Sequence, residues 1–157
     1  MRLLLALLLA LPQTVLAQDA TWGLNVYGLS YHFDRDAAQR IGTDNELNPG
    51  LGVRYRRPIN PSFDFFADVG AYKDSGRNTA ALAGAGALWR ATGRLRLGGA
   101  LVLMQSDTYN AGDAFIAPLP VAALDFDRVS FNMVYMPKVS NFNAINTLGF
   151  WATVWLR

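Results

Sequence analysis

Few residues in this chain could do chemistry. It has one histidine, His32, within Tyr31-His32-Phe33-Asp34, and no cysteine. An imidazole gains or loses a proton near neutral pH, so His32 is the natural centre of any acid-base work. A carboxylate and a hydroxyl adjoin in Tyr72-Lys73-Asp74-Ser75-Gly76-Arg77. His32, Asp74 and Ser75 form a candidate catalytic set of base, orienting carboxylate and hydroxyl, the equipment of acyl transfer or ester hydrolysis. Each also has a plainer reading, because a lone histidine is commonly a surface residue and Asp, Ser, Gly and Asn populate solvated turns. Metal-ligand spacing, a phosphate loop and a serine elbow are all missing from the sequence, so neither a metal nor another cofactor is expected.

For these groups to meet, distant segments must end at one rim. After Ala17 no stretch reaches the roughly 18 apolar residues of a membrane helix. The chain divides instead into eight strand-like segments, at 22 to 33, 50 to 57, 63 to 73, 79 to 90, 94 to 105, 115 to 124, 129 to 137 and 147 to 157. Their connections alternate. Pro58-Ile59-Asn60-Pro61, Ala91-Thr92-Gly93 and Asp125-Phe126-Asp127-Arg128 are short, whereas residues 34 to 49, 106 to 114 and 138 to 146 are longer and polar. This is the signature of an all-β fold, an eight-stranded antiparallel up-and-down transmembrane β-barrel with short periplasmic turns and long outer loops. His32 and Asp74 then fall at the outer rim.

Period-two alternation assigns the faces. Phe63, Phe65, Ala67, Val69 and Ala71 share one side of the third segment, and Asp64, Asp68, Gly70, Tyr72 and Asp74 the other. Leu51, Val53 and Tyr55, with Leu95, Leu97, Leu101 and Leu103, likewise face lipid, while Arg54, Arg56 and Arg96 face the lumen. With Arg90 they lie level with Asp64 and Asp68, which predicts an ion-paired plug in the lower lumen. So narrow a barrel leaves no pore. Trp22, Phe63, Trp89, Phe126, Trp151 and Trp155 fall where interface girdles are expected. Above the plug the inward positions turn small or apolar, with Gly70, Tyr72, Leu82, Gly84, Gly86, Gly98, Ala100, Val102 and Met104. Glycine facing a lumen marks either a ligand or a barrel corner. From Gly86 to Asn78 the cavity would span roughly 20 Å along the axis, near the length of an extended acyl chain.

The start of the chain has Arg2, an apolar run over residues 3 to 11, Pro12, and Val15-Leu16-Ala17. It reads as a cleavable signal peptide, residues 1 to 17, ahead of a barrel domain of residues 18 to 157. The 14 basic and 12 acidic residues form no basic patch, so no nucleic-acid partner is expected.

At this point the residues resemble a family, the lipid A palmitoyltransferases of the outer membrane (PagP type). The resemblance rests on Tyr31-His32, Ala71-Tyr72-Lys73-Asp74-Ser75, Ala83-Gly84-Ala85-Gly86 with Trp89-Arg90, and Pro118-Leu119-Pro120-Val121. It continues through Val129-Ser130-Phe131-Asn132-Met133-Val134-Tyr135-Met136-Pro137 and an aromatic last segment. It implies a monomeric acyltransferase at the extracellular face of the Gram-negative outer membrane, moving a palmitoyl-like chain from a phospholipid donor to a lipid A acceptor. It further implies catalysis by His32, Asp74 and Ser75, a hydrocarbon ruler with Gly86 at its floor, and a lateral lipid gate at Pro118, Pro120 and Pro137. The sequence departs from the family in three places. Only four residues separate Ala17 from Trp22, so the family's leading amphipathic helix is missing; the loop from Ser106 to Ala114 has no basic residue; and the chain ends in Leu156-Arg157. Two rivals stand beside the acyltransferase. One is a lipid A deacylase, disfavoured by Asp34 where that family's His-x-Ser has serine. The other is a non-catalytic lipid-binding or structural barrel.

Overall fold

Alternating side chains make each segment greasy on one side and polar on the other, and such a sheet can bury both its polar face and its edges only by closing on itself. The computed structural model, which describes residues 20 to 139 and 142 to 156, is a closed antiparallel barrel with its strands in chain order. The strands are β1 Thr21–His32, β2 Leu47–Asn60, β3 Phe63–Lys73, β4 Thr79–Thr92, β5 Leu95–Gln105, β6 Phe115–Asp125, β7 Val129–Met136 and β8 Thr147–Trp155. The expected leader, residues 1 to 17, lies outside the described residues. β2 starts earlier than the sequence suggests and extends through Pro58, where its pairing with β3 is irregular. The long first outer loop holds a short helix, α1 Arg35–Arg40, whose Ala37 amide is capped by the Asp34 carboxylate at 2.8 Å.

Leu29, Leu51, Val53, Val69, Leu101, Leu103, Ile116 and Phe131 all point outward and are exposed. An apolar belt this continuous is untenable in water and natural in hydrocarbon. The chain is a membrane-spanning barrel of the outer-membrane type.

The lower lumen is a polar plug. Arg54 donates to Asp68 at 2.8 and 2.6 Å and to Asn132 at 2.7 Å. Asn25 donates to Asp68 at 3.0 Å and accepts from Thr153 at 2.7 Å. Below them Asp64 accepts from Arg90 and Arg96 at 2.5 and 2.6 Å. Asp125 accepts from Arg56 at 2.8 Å, from Ser130 at 2.5 Å and from Arg96. Burial of this many charges is tolerable only because each finds an opposite partner. Asp125 was read as a turn residue; the structure makes it the second hub of the plug. Two of the six girdle aromatics are also corrected. Trp155 is buried under Arg56, whose guanidinium lies 4.0 Å from the ring centroid, and Trp151 faces the lumen near Arg54. An aromatic can thus serve the plug as a cation-binding face instead of anchoring in the interface.

The register of β1 slips between Tyr27 and Leu29 against both of its neighbours. Gly28 is the extra residue of this bulge against β8, and on the other side it stands opposite two residues of β2, Asn48 and Pro49. A one-residue insertion reverses the faces of everything beyond it. Gly23, Asn25 and Tyr27 look inward below the bulge, and Ser30 and His32 do so above it.

Candidate functional site

Strict alternation from Asn25 would send His32 into lipid. The Gly28 bulge turns it in, leaving it 2% exposed with Nε2 2.9 Å from Ser75 Oγ. The Nδ1 side faces Glu46, whose Oε1 lies 3.5 Å away and also accepts the His32 amide at 3.0 Å. A carboxylate at that edge favours the proton on Nδ1, which leaves Nε2 to accept from the Ser75 hydroxyl. Glu46 is held in turn by Arg35 at 3.1 and 2.9 Å. Burial pushes the Glu46 carboxyl up, but the His32 amide and the Arg35 guanidinium outweigh it and hold it below the usual range.

Asp74 is not the orienting carboxylate. It is fully buried and accepts from the Gly76 and Asn78 amides, each at 2.9 Å, and from the Ser106 hydroxyl. Its oxygens are committed to its own hairpin tip and to the loop after β5, as an aspartate opening a turn commonly is. The rim therefore assembles His32, Ser75 and Glu46. Glu46 went unnoticed in the sequence, although its position in the returning limb of the loop that begins beside His32 was the available signal. Among the described residues no group of three or more His, Cys, Asp or Glu is placed to hold a metal.

Below this rim lies a lumen cavity of about 90 Å³, bounded by Tyr72, Leu82, Gly84, Ala100, Val102 and Met104 among others. Three residues expected to line it, Gly70, Gly86 and Gly98, do not. A Cβ on Gly70 would strike the Tyr27 ring, and one on Gly86 would lie 2.1 Å from the Gly99 carbonyl oxygen. Gly70 makes room for Tyr27, and Gly86 lets the β5 backbone come close. The floor is Phe66, 1% exposed, with Arg54 above its ring at 4.6 Å. The cavity lining runs from Phe66, which pairs with Gly86, up to Ser75 at the rim.

A second cavity, about 300 Å³, lies between the upper parts of β6 and β7. It shares Val102, Met104, Tyr109, Leu119 and Met136 with the first. Its origin can be read from hydrogen-bond parity. The Asp125 amide bonds Arg94 on the β5 side, and the Phe126 amide bonds Val129 on the β7 side. Backbone groups alternate sides along a strand, so even residues of β6 address β7 and odd residues of β7 address β6. Leu124 opposes Phe131 and Ala122 opposes Met133, and the ladder stops at Val121 with Val134. The next pairs in this series would be Pro120 with Tyr135 and Pro118 with Pro137. Proline has no amide hydrogen, so the first pair loses one bond and the second loses both. Phe115, Phe142 and Val139 complete the apolar walls of the gap.

No protein-family model and no curated protein sequence matches the chain. Among solved structures it is similar to Ail, the attachment invasion locus protein of Yersinia pestis, with 12% identity, a TM-score of 0.44, and coverage of 88% of this chain and 98% of that one. It is also similar to Neisserial surface protein A, with 14% identity, a TM-score of 0.43, and coverage of 87% of this chain and 95% of that one. At such identities the likeness concerns the fold alone. The expectation of an acyltransferase is corrected: the expected catalytic set does not assemble, because the Asp74 carboxylate is taken up by the Gly76 and Asn78 amides and the Ser106 hydroxyl and does not engage His32.

Proposed function

We propose that this chain is a non-catalytic lipid-binding barrel of the Gram-negative outer membrane, whose upper lumen accepts part of an aliphatic chain entering between β6 and β7. The observation that carries this reading is that the lumen cavity and the proline-lined gap lie side by side and share the walls Val102, Met104, Tyr109, Leu119 and Met136. An apolar cavity open to lipid gains by filling with lipid, because unfilled walls forgo dispersion contacts. Pro118, Pro120 and Pro137 hold the route open by leaving its edges unpaired, and Leu82, Ala100, Val102 and Met104 contact the chain. The hydrogen bond between Ser75 and His32 closes the rim above it. Purified barrel in detergent is titrated with octadecanoic acid and followed by native mass spectrometry. Saturable binding that weakens when Ala100→Phe fills the cavity is expected, and failure to saturate would leave a purely structural barrel.

A further inference from the structure

The lumen cavity is bordered mainly by apolar side chains; Arg54, Asp68 and Ser75 at its border are paired within the protein, whereas two other polar groups there are not, and these specify a ligand. Asn48 is 6% exposed and borders the cavity; its Nδ2 donates to the Lys73 carbonyl at 3.0 Å, so the other atom of the amide must be the acceptor. That acceptor, Oδ1, is buried with no protein partner among the described residues. Trp151 borders the same cavity, and its buried Nε1 donor also has no protein partner among the described residues. Trp151 pairs with Tyr27, and Asn48 lies two residues above Gly50, the partner of Tyr27 on the other side. Donor and acceptor thus flank β1 at the Gly28 bulge, where an added Cβ would meet nothing within 4 Å. A buried donor or acceptor without a partner is costly, and a wall holding one of each is matched by a single group that both gives and takes a hydrogen bond.

We infer that the cavity selects an aliphatic chain bearing a hydroxyl group over a plain chain, with Asn48 Oδ1 accepting from that hydroxyl and Trp151 Nε1 donating to it. This rests on the lipid-binding reading above. The level of Tyr27 is five residues below His32, or roughly 12 Å along the axis at ordinary strand rise and tilt, which corresponds to a hydroxyl well down a long chain.

The test compares octadecanoic acid with its 10-hydroxy and 12-hydroxy derivatives by native mass spectrometry of the intact barrel. At least one hydroxylated chain should bind about tenfold tighter than the plain one. Trp151→Phe keeps an aromatic ring in the wall and removes the donor, and it should bring the ratio of hydroxylated to plain binding toward one. Asn48→Leu provides a second variant should the first fail to give the heat-modifiable band of a folded barrel. Equal binding of plain and hydroxylated chains by the unaltered protein, or a preference that survives both substitutions, overturns the inference and leaves the lipid-binding reading standing. Absence of binding by every chain overturns both.

Discussion

Arg54 grips Asp68 through two parallel hydrogen bonds, of 2.8 and 2.6 Å, in the closed part of the lumen. Arg54 is 1% exposed, so neither charge could shed its partner into water. Asp68→Ala leaves a guanidinium uncompensated and should lower the unfolding free energy by about 3–5 kcal/mol. The double change Arg54→Met with Asp68→Leu should cost clearly less, since it removes both charges together. Urea titration in micelles measures both variants, and a double variant as damaged as the single one would refute this account.

The Gly28 bulge has a separable test. Gly28→Ala keeps the extra residue and meets open space, so the barrel should stay within about 0.5 kcal/mol of the original. Deleting Gly28 sets Leu29 directly after Tyr27, so unbroken alternation sends Leu29 outward and His32 inward without a bulge. Imidazole resonances in NMR spectra should then report a lumen-facing ring in both variants, and a lipid-facing ring in the deletion variant would sink this account of the bulge.

These two cases mark how much of the fold and of the site could be read in the residues. Strand number, the lipid face and the Arg54 and Asp68 pairing follow from period-two alternation, which is local. The turn of His32 toward Ser75 is masked by one inserted residue, and alternation counted from either end of β1 gives opposite answers. Gly28 is the visible trace of that insertion, as glycine in a strand commonly is. Asp74 was misread because residue type and height suit both a catalytic carboxylate and a turn cap, and only coordinates show which partners its oxygens take. The plug role of Trp155 was hidden for a similar reason, since a tryptophan at a strand end can face either way.

The outer loop should loosen in acid. The Arg77 guanidinium holds Asp44 below its ordinary value of 3.8, and Glu46 lies below its ordinary 4.5. A carboxylate whose folded value is depressed stabilises the fold fully above its unfolded value and loses that contribution as pH falls through the folded one. The segment around α1 should therefore be protected at about pH 6 and progressively released below about pH 4.5. Hydrogen exchange of residues 34 to 46 follows this, and Glu46→Gln should exchange faster at the higher pH with a flatter pH dependence.

The prolines at the gap give a prediction at single-amide resolution. Pro120→Ala supplies a donor facing the Tyr135 carbonyl, and the ladder beyond Val121 and Val134 should gain a pair. Slower exchange of the new amide at position 120 and of Tyr135 is expected. The gap should narrow, and uptake of octadecanoic acid should fall with it. Unchanged exchange at both amides would mean that something other than the missing donors ends the ladder.

Gly86 and Gly99 oppose each other's neighbours across β4 and β5, yet they should respond differently to a methyl group. A Cβ on Gly86 would sit 2.1 Å from the Gly99 carbonyl oxygen and 2.8 Å from the Ala100 Cα, contacts with backbone that no rotamer change relieves. A Cβ on Gly99 would meet only the Leu119 carbonyl oxygen, at an ordinary 3.4 Å. Gly86→Ala should therefore destabilise by about 1–3 kcal/mol as the two strands are forced apart, and Gly99→Ala should be nearly silent. If Gly86 were instead the floor of a slot, its alanine variant would fold normally and merely shorten the chain accepted. Thermal unfolding of the two variants side by side decides between close backbone approach and an open floor.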